Sequence, residues 1–324
     1  MKVLITGATG FIGEHLVRRM SQSEHELVCL VRATSNLQAL EELGVNLVAG
    51  DVTDKKSVIA ALDGCGWVIN LANHYAFWAP DPDIYTRVNV YGTRNVMEAA
   101  LETGAEKVVH MSTALIYGKP LDAPFTEDSP VGPVRFSKYA ESKYRGNLIA
   151  WKLSEEAGLP LVVLYPSGVL GPGDDKFTGQ YIQMMMRGGM PARAWESAVH
   201  NLVHVNDVVE SIYQALLKGD NVGEKYLISG YQVTLGQLNQ MISEISGTPL
   251  PRLVFPDWLA MASAVALTTI ADLLKKPPLW NMMLDGMRNL QAGIDFDGSK
   301  AERELGITYT PIREAVQDAI ESYK

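Results

Sequence analysis

Apolar residues in the first half of the chain fall into short continuous runs, separated by longer stretches with helical spacing. Lys2 to Ile5, Glu26 to Val31, Val45 to Ala49, Trp67 to Leu71, Lys107 to Met111 and Leu161 to Tyr165 are such runs, the pattern of strands covered on both faces. Between them, Glu14 to Met20, Lys55 to Leu62, Val88 to Thr103 and Tyr139 to Glu156 repeat apolar positions at helical intervals. Strand and helix in alternation predict an α/β fold with a doubly wound parallel sheet, and ligands are then expected beyond the carboxyl ends of the strands.

The alternation weakens after Gly171-Pro172-Gly173. The glycine, methionine and proline content of Gly179 to Pro191 predicts a segment that leaves the sheet. Val203 to Val205 and Tyr226 to Ser229 read as short return strands, with Asp207 as cap of a helix through Leu217. Thr234 with Gln237 and Ser299 with Glu302 match capping boxes, and Thr310-Pro311 reads as N-cap and first helical position. The expected organisation is a Rossmann-type nucleotide-binding domain over 1–170, rejoined by 200–230. A smaller, mostly helical substrate-binding lobe is expected from 171–199 and 231–324.

A chain of 324 residues, 47% hydrophobic, can bury a sizeable core. The formal charge of −9 and the absence of a basic run argue against nucleic acid as a partner. Cys29 and Cys65 form neither a disulfide framework nor a metal pattern. With a first strand beginning at residue 2 and no leader pattern, a cytoplasmic location is expected. Trp258 to Ala271 is the most lipid-like stretch, but Ser263, Thr268 and Thr269 dilute it, and it is shorter than the ~20 residues of a spanning helix. A buried or interfacial helix rather than a transmembrane segment is expected, with peripheral membrane contact through it and Leu279-Trp280 as the alternative.

Thr6-Gly7-Ala8-Thr9-Gly10-Phe11-Ile12-Gly13 lies between the first strand and the first helix. Glycines allow a tight turn and close approach of a pyrophosphate, and the free N–H groups of the helix start face the anion, so Gly7, Thr9, Gly10, Phe11, Ile12 and Gly13 are expected to cradle a dinucleotide. At the end of the second strand stands Arg32, where NAD-binding chains usually carry an acidic residue. A guanidinium there suits a 2′-phosphate, which favours NADP over NAD; Thr34 and Ser35 fit a plain turn. Asp51 and Val52, after the third strand, are placed on the adenine side.

Tyr139 and Lys143 stand four apart at a helix start and share one face. A neighbouring ammonium lowers the pKa of a phenol, making Tyr139 an acid/base tuned by Lys143. With 13 tyrosines in the chain, about one such spacing arises by chance, so context has to promote it. That context is Ser112-Thr113 at the end of a strand, whose hydroxyls compete to hold a substrate carbonyl; Thr113 is favoured. His200 and His204 are also four apart, but around a strand, ~13 Å from each other, and no metal site is expected.

Jointly these motifs resemble the extended short-chain dehydrogenase/reductase family, of the NAD-dependent epimerase/dehydratase type. Gly50-Asp51-Val52, Asn89-Val90-Tyr91-Gly92-Thr93, Ser112 to Gly118, Tyr139 with Lys143, and Pro166 to Pro172 carry the resemblance along with the cradle. Arg32 to Ser35, Phe77 to Pro82 and Asn201 to Asp207 are most similar to its dihydroflavonol reductase-like branch, which includes hopanoid-associated sugar epimerase-like proteins. The resemblance implies Thr113, Tyr139 and Lys143 as catalytic set, with Lys143 also holding the nicotinamide ribose. It implies that Leu71, Ala72, Pro166, Gly168 and Val169 line the nicotinamide side, and a homodimer through the helices Val88 to Thr103 and Tyr139 to Glu156. Asn73 and Tyr165 depart from the family pattern, and Tyr165 is expected to alter the wall of the substrate pocket.

The leading reading is an NADP-dependent reductase of a ketone or aldehyde. Its rival is a nucleotide-sugar epimerase/dehydratase using the same residues, and a third is a non-catalytic NADP-binding regulator. A sugar diphosphate calls for cations between Thr178 and Arg193, where only Arg187 and Arg193 stand. Tyr75, Phe77, Trp78, Tyr181, Met184 and Trp195 give the expected pocket an apolar character instead. His74 is a further candidate for substrate contact.

Overall fold

The computed structural model describes residues 1–120 and 123–324. Its elements in chain order are β1 (Lys2–Thr6), α1 (Phe11–Met20), β2 (Glu26–Val31), α2 (Gln38–Glu41), β3 (Asn46–Ala49), α3 (Lys55–Ala61), β4 (Trp67–Asn70), α4 (Asp83–Tyr85), α5 (Thr93–Glu102) and β5 (Lys107–Met111). There follow α6 (Lys138–Ala157), β6 (Leu161–Pro166), β7 (Gly168–Leu170), α7 (Phe177–Met186), β8 (Val199–His204), α8 (Val205–Leu217), β9 (Lys225–Ile228) and β10 (Tyr231–Thr234). The chain closes with α9 (Leu235–Ser246), α10 (Asp257–Leu274), α11 (Leu284–Ala292), α12 (Ser299–Leu305) and α13 (Ile312–Ser322).

Seven strands form one sheet in the order β3-β2-β1-β4-β5-β6-β9, and every pairing in it is parallel. Each strand reads as an unbroken apolar run because alternate residues enter different cores. Leu4, Val28, Val68, Val108 and Val163 pack on one face; Ile5, Cys29, Ile69, Val109 and Val162 pack on the other. The order reverses between β1 and β4, which opens a crevice at the carboxyl edge where the loops after these strands diverge.

Beside it lies a three-stranded sheet, β10-β8-β7, packed with α7, α9 and α13 around Leu170, Ile182, Leu202, Leu238 and Val316. The strand expected at Val203 to Val205 is thus β8, longer and paired with β7 and β10 rather than with the large sheet. The capping box at Thr234 and Gln237 forms as expected. Three other expected caps differ, because tertiary partners or neighbouring residues take over. His204 caps α8, while Asp207 accepts hydrogen bonds from the Thr310 N–H and hydroxyl, both at 2.8 Å. Thr310 is thereby occupied and α13 starts after Pro311, and α12 begins at Ser299 itself, whose N–H bonds to Asp297.

Two helices differ from expectation. The segment from Gly179 leaves the large sheet as expected, but it does so as a regular helix: Gly179 lies in the first turn of α7, where the glycine is needed because a Cβ would lie 2.0 Å from the Asp174 carbonyl oxygen. The apolar helix α10 has 18 residues, not 14, and among them only Ala260, Ala264 and Ala271 are buried. By length and composition it is apolar enough to cross a membrane, with a mean hydropathy of 1.4.

Candidate active site

The cradle closes between β1 and α1. Gly7 turns with φ +73°, and the backbone just after β4 leaves so little room that a Cβ would meet the Ala72 nitrogen at 2.7 Å. The Gly10 N–H donates to the Gly7 carbonyl at 3.0 Å. Gly10 is also the N-cap of α1, and a residue without a side chain leaves the helix's first N–H groups uncapped. Such groups, at the positive end of the helix dipole, suit a phosphate. They open onto a cleft of about 520 Å³ lined by Gly7, Thr9, Gly10, Phe11, Ile12, Gly13, Arg32, Asp51, Val52, Leu71 and Ala72. Thr113, Tyr139, Pro166, Gly168 and Val169 line the same cleft, so those sequence-predicted residues converge although they come from seven strands or the turns after them and two helices. Lys143 is the exception: it is buried behind the wall.

At one end, Arg32 is exposed and lines the cleft. The Ser35 N–H donates to the Arg32 carbonyl at 3.0 Å, closing the turn. The Ser35 hydroxyl is buried on the cleft wall without a hydrogen-bond partner, which an anionic oxygen beside Arg32 would satisfy. In the sequence Ser35 fits a plain turn. Only the fold shows its hydroxyl to be orphaned. Asp51 holds its own turn through the Thr53 N–H and hydroxyl, each at 2.8 Å.

At the other end, Ser137 caps α6 through the Ala140 N–H at 3.1 Å, and Asp285 of α11 accepts from the Lys138 N–H at 2.8 Å. Tyr139 therefore sits in a doubly capped first turn. Its ring meets Tyr75 edge-on at 4.8 Å and Phe77 at 6.3 Å, and Phe77 in turn meets Phe177 at 4.8 Å. Burial raises the Tyr139 pKa, offset only by the neighbouring Thr113 hydroxyl. Lys143 engages the backbone rather than the phenol. Its Nζ donates to the Met111 carbonyl at 2.7 Å, and burial brings its pKa down to about 7.

Thr113 also accepts a hydrogen bond from the Leu115 N–H at 3.3 Å, capping a short 3₁₀ turn. Next to it, the Ser112 hydroxyl has no partner, and the same is true of Ser167 across the cleft. His74 Nε2 is likewise orphaned on the cleft wall, and burial lowers the ring's pKa so that it is neutral. Asn89, which the sequence shows only as part of a family motif without a role, joins these parts: it accepts from the His74 N–H at 2.7 Å and donates to the Ser142 hydroxyl of α6 at 2.9 Å. The loop carrying Tyr75 is thus fastened to the helix carrying Tyr139.

Other candidates fall away from the cleft or take structural roles. Tyr165 does not alter the pocket wall, contrary to expectation: it is buried in the core, where its hydroxyl donates to Asn147 and accepts from Trp151. Asn73 stays on the cleft wall, where its side-chain amide donates to the Leu71 carbonyl at 2.9 Å. Trp78 bonds to Asp272 of α10. Tyr181 lines the cleft, whereas Met184, Arg193 and Trp195 line a smaller neighbouring cavity. Arg193 is paired with Glu196 at 2.6 Å, and Arg187 is exposed outside both cavities. His200 lines the cleft with its Nε2 on the Leu290 carbonyl, and His204 is the α8 cap.

A seven-stranded parallel sheet with a glycine cradle at its switch point defines a dinucleotide-binding protein. Residues 3–229 match the NAD dependent epimerase/dehydratase family, and the chain belongs to it. A Synechocystis protein provisionally named dihydroflavonol 4-reductase is 31% identical, covering 98% of this chain and 92% of its own. Human 3 beta-hydroxysteroid dehydrogenase type 7 is 33% identical, with 95% and 91% covered. The solved UDP-glucose 4-epimerase of Thermotoga maritima shares the fold, with a TM-score of 0.79 at 21% identity and 100% and 98% covered. Members of this family thus include reductases, dehydrogenases and epimerases that depend on NAD or NADP.

Proposed function

We propose that this protein is an NADP-dependent reductase of an apolar ketone or aldehyde. The observation that carries the reading is the wall around Tyr139. It is built from Tyr75, Phe77 and Phe177, and the lysines and arginines lining the cleft among the described residues are Arg32, at the far end, and Lys176, paired with Asp175 at 2.8 Å. A sugar diphosphate would bring two charges to a wall with no free cation, whereas an apolar carbonyl compound gains from burial there.

The residues of the cradle, with Arg32 and Ser35, would hold the cofactor, and the nicotinamide would supply the hydride. Thr113 and Ser112 orient the carbonyl oxygen with their hydroxyls. Tyr139 donates its proton to that oxygen as negative charge develops; burial keeps the phenol protonated across the neutral range. Lys143, when protonated, favours departure of that proton through its positive charge. The aromatic wall excludes water. The direct test is incubation with NADPH and panels of carbonyl compounds and nucleotide sugars. Loss of nicotinamide absorbance with an apolar carbonyl is expected; product from a nucleotide sugar without net oxidation would establish the epimerase reading, which the family also supports.

Two results follow from the ionisation and the anion site. The Lys143 pKa is lowered to about 7, so its ammonium is present below that value and lost above it. For reduction, kcat/KM should be level in mild acid and fall as pH rises through about 7, and Lys143→Met should abolish this limb. Loss of a charge-assisted hydrogen bond costs about 1.5–3 kcal/mol, so Arg32→Ala is expected to weaken NADPH binding roughly 10- to 100-fold with little change for NADH. Ser35→Ala should do the same to a smaller extent. An unaltered ratio of the two affinities in Arg32→Ala would sink the NADP assignment.

A further inference from the structure

We infer that α10 and the Leu279-Trp280 corner form a docking face for an anionic lipid bilayer, on which the helix lies flat. Seventeen large apolar side chains are exposed among the described residues, and nine of them lie between Leu253 and Trp280. Trp258 is 71% and Leu273 79% exposed. From Trp258 to Ala271 the outward positions of the helix are Ala262, Val265, Ala266, Thr269 and Ile270, so the solvent side of α10 carries no charge until Asp272, which is exposed and bonded to Trp78. A soluble helix keeps its polar face there.

The one polar side chain on that stripe turns inward: the Thr269 hydroxyl donates to the Val265 carbonyl of its own helix at 2.8 Å. The stripe therefore offers a partner almost no hydrogen bonds. Protein interfaces carry about one per 100–200 Å², whereas lipid tails need none, which favours a bilayer over a second copy or another protein. The ends of the stripe have the amphipathic character of a membrane interface. Trp258 stands at one end and Trp280 nearby, and Lys275 and Lys276 follow the other end, both exposed. Arg252 adds a third cation, against Asp257 and Asp272, and Asp272 already accepts from the Trp78 indole at 2.8 Å. This local excess of positive charge sits on a chain of formal charge −9, where it suits anionic headgroups.

The helix cannot cross the bilayer while folded. Its other side is fixed along its length by Ala260 and Ala264 against Trp195 and Met287, and by the Thr268 hydroxyl, which accepts from the Leu284 N–H at 2.9 Å. Behind it lies the smaller apolar cavity, of about 60 Å³, which reaches Trp280 on this face. That cavity shares Phe177, Tyr181, Leu235 and Leu290 with the main cleft. The docking face thus adjoins an apolar route towards Tyr139.

Flotation of the full-length protein with vesicles tests this face, using phosphatidylcholine alone and phosphatidylcholine mixed with phosphatidylglycerol. The wild type should float with the mixed vesicles, and the double variant W258E/L273E at least ~10-fold less, with unchanged NADPH affinity and melting temperature. K275E/K276E, confined to exposed side chains, should lose the preference for the anionic vesicles and its sensitivity to salt. Wild-type protein that stays in the dense fraction with both vesicles overturns the proposal. So does a dimer, seen by light scattering, that W258E/L273E turns into monomer without any vesicle flotation, since the face would then join two copies. Because NADPH affinity is read separately, either outcome leaves the reductase reading standing.

Discussion

Tyr139→Phe is expected to lower turnover of NADPH with an apolar carbonyl substrate by roughly 10²–10⁴-fold, the span of a positioned general acid. NADPH affinity should stay within about threefold of the wild type. The split follows from the geometry. Phenylalanine keeps the edge-on contacts that the ring makes with Tyr75 and Phe77 at 4.8 and 6.3 Å, so the aromatic wall stays in place. What is removed is the hydroxyl next to Thr113, a group that can give a proton to a developing alkoxide while burial keeps it protonated at neutral pH. Single-turnover absorbance of the nicotinamide, with cofactor binding followed by fluorescence, separates the two quantities. Full turnover by the variant would refute Tyr139 as the acid, and equal loss of binding and turnover would make its role structural.

Much of this arrangement is legible in the amino-acid sequence, for a physical reason. Strands covered on both faces must be apolar throughout, so β1, β2, β5 and β6 announce themselves, and a turn that admits only glycine marks the end of β1. Tyr139 and Lys143 are visible because helical spacing is a local property. What is hidden depends on partners distant in the chain. Lys143 meets the Met111 carbonyl rather than the phenol one turn away, and no spacing rule foretells that. Asp207 looks like a cap until Thr310, 103 residues later, claims both its oxygens. Tyr165 looks like a pocket residue until Asn147 and Trp151 engage its hydroxyl inside the core. Ser35 and Ser112 become informative only once the fold shows that nothing satisfies them. The apolar sequence of α10 is equally compatible with burial and with exposure, and only the packing shows which face is left open.

The cradle yields the second large effect. Gly13→Ala is expected to weaken NADPH binding by at least about 100-fold and to lower the melting temperature, since overpacking of this kind costs 1–3 kcal/mol or more. A Cβ on Gly13 would lie 2.1 Å from the Gly7 carbonyl oxygen and 2.8 Å from the Ala8 Cα, so the backbone of the phosphate turn itself has to move. Gly10 sits in the same turn, yet its Cβ would meet the Gly7 oxygen at 3.3 Å, and Gly10→Ala should lose about tenfold at most. Gly219→Ala, with nothing within 4 Å, should leave cofactor affinity unaltered and serves as the control for a generic loss of glycine. The order Gly13, Gly10, Gly219 in loss of affinity is the signature of a turn whose backbone approaches the ligand. Measured by titration on protein whose folding is verified by circular dichroism, equal affinities for the three variants would mean that the turn only connects strand to helix and that the dinucleotide, if bound, is held elsewhere. Gly13→Ala also separates the cradle from the anion site: it should weaken NADPH and NADH together, whereas Arg32→Ala acts on NADPH alone, because the turn meets the pyrophosphate common to both and the guanidinium meets only the 2′-phosphate.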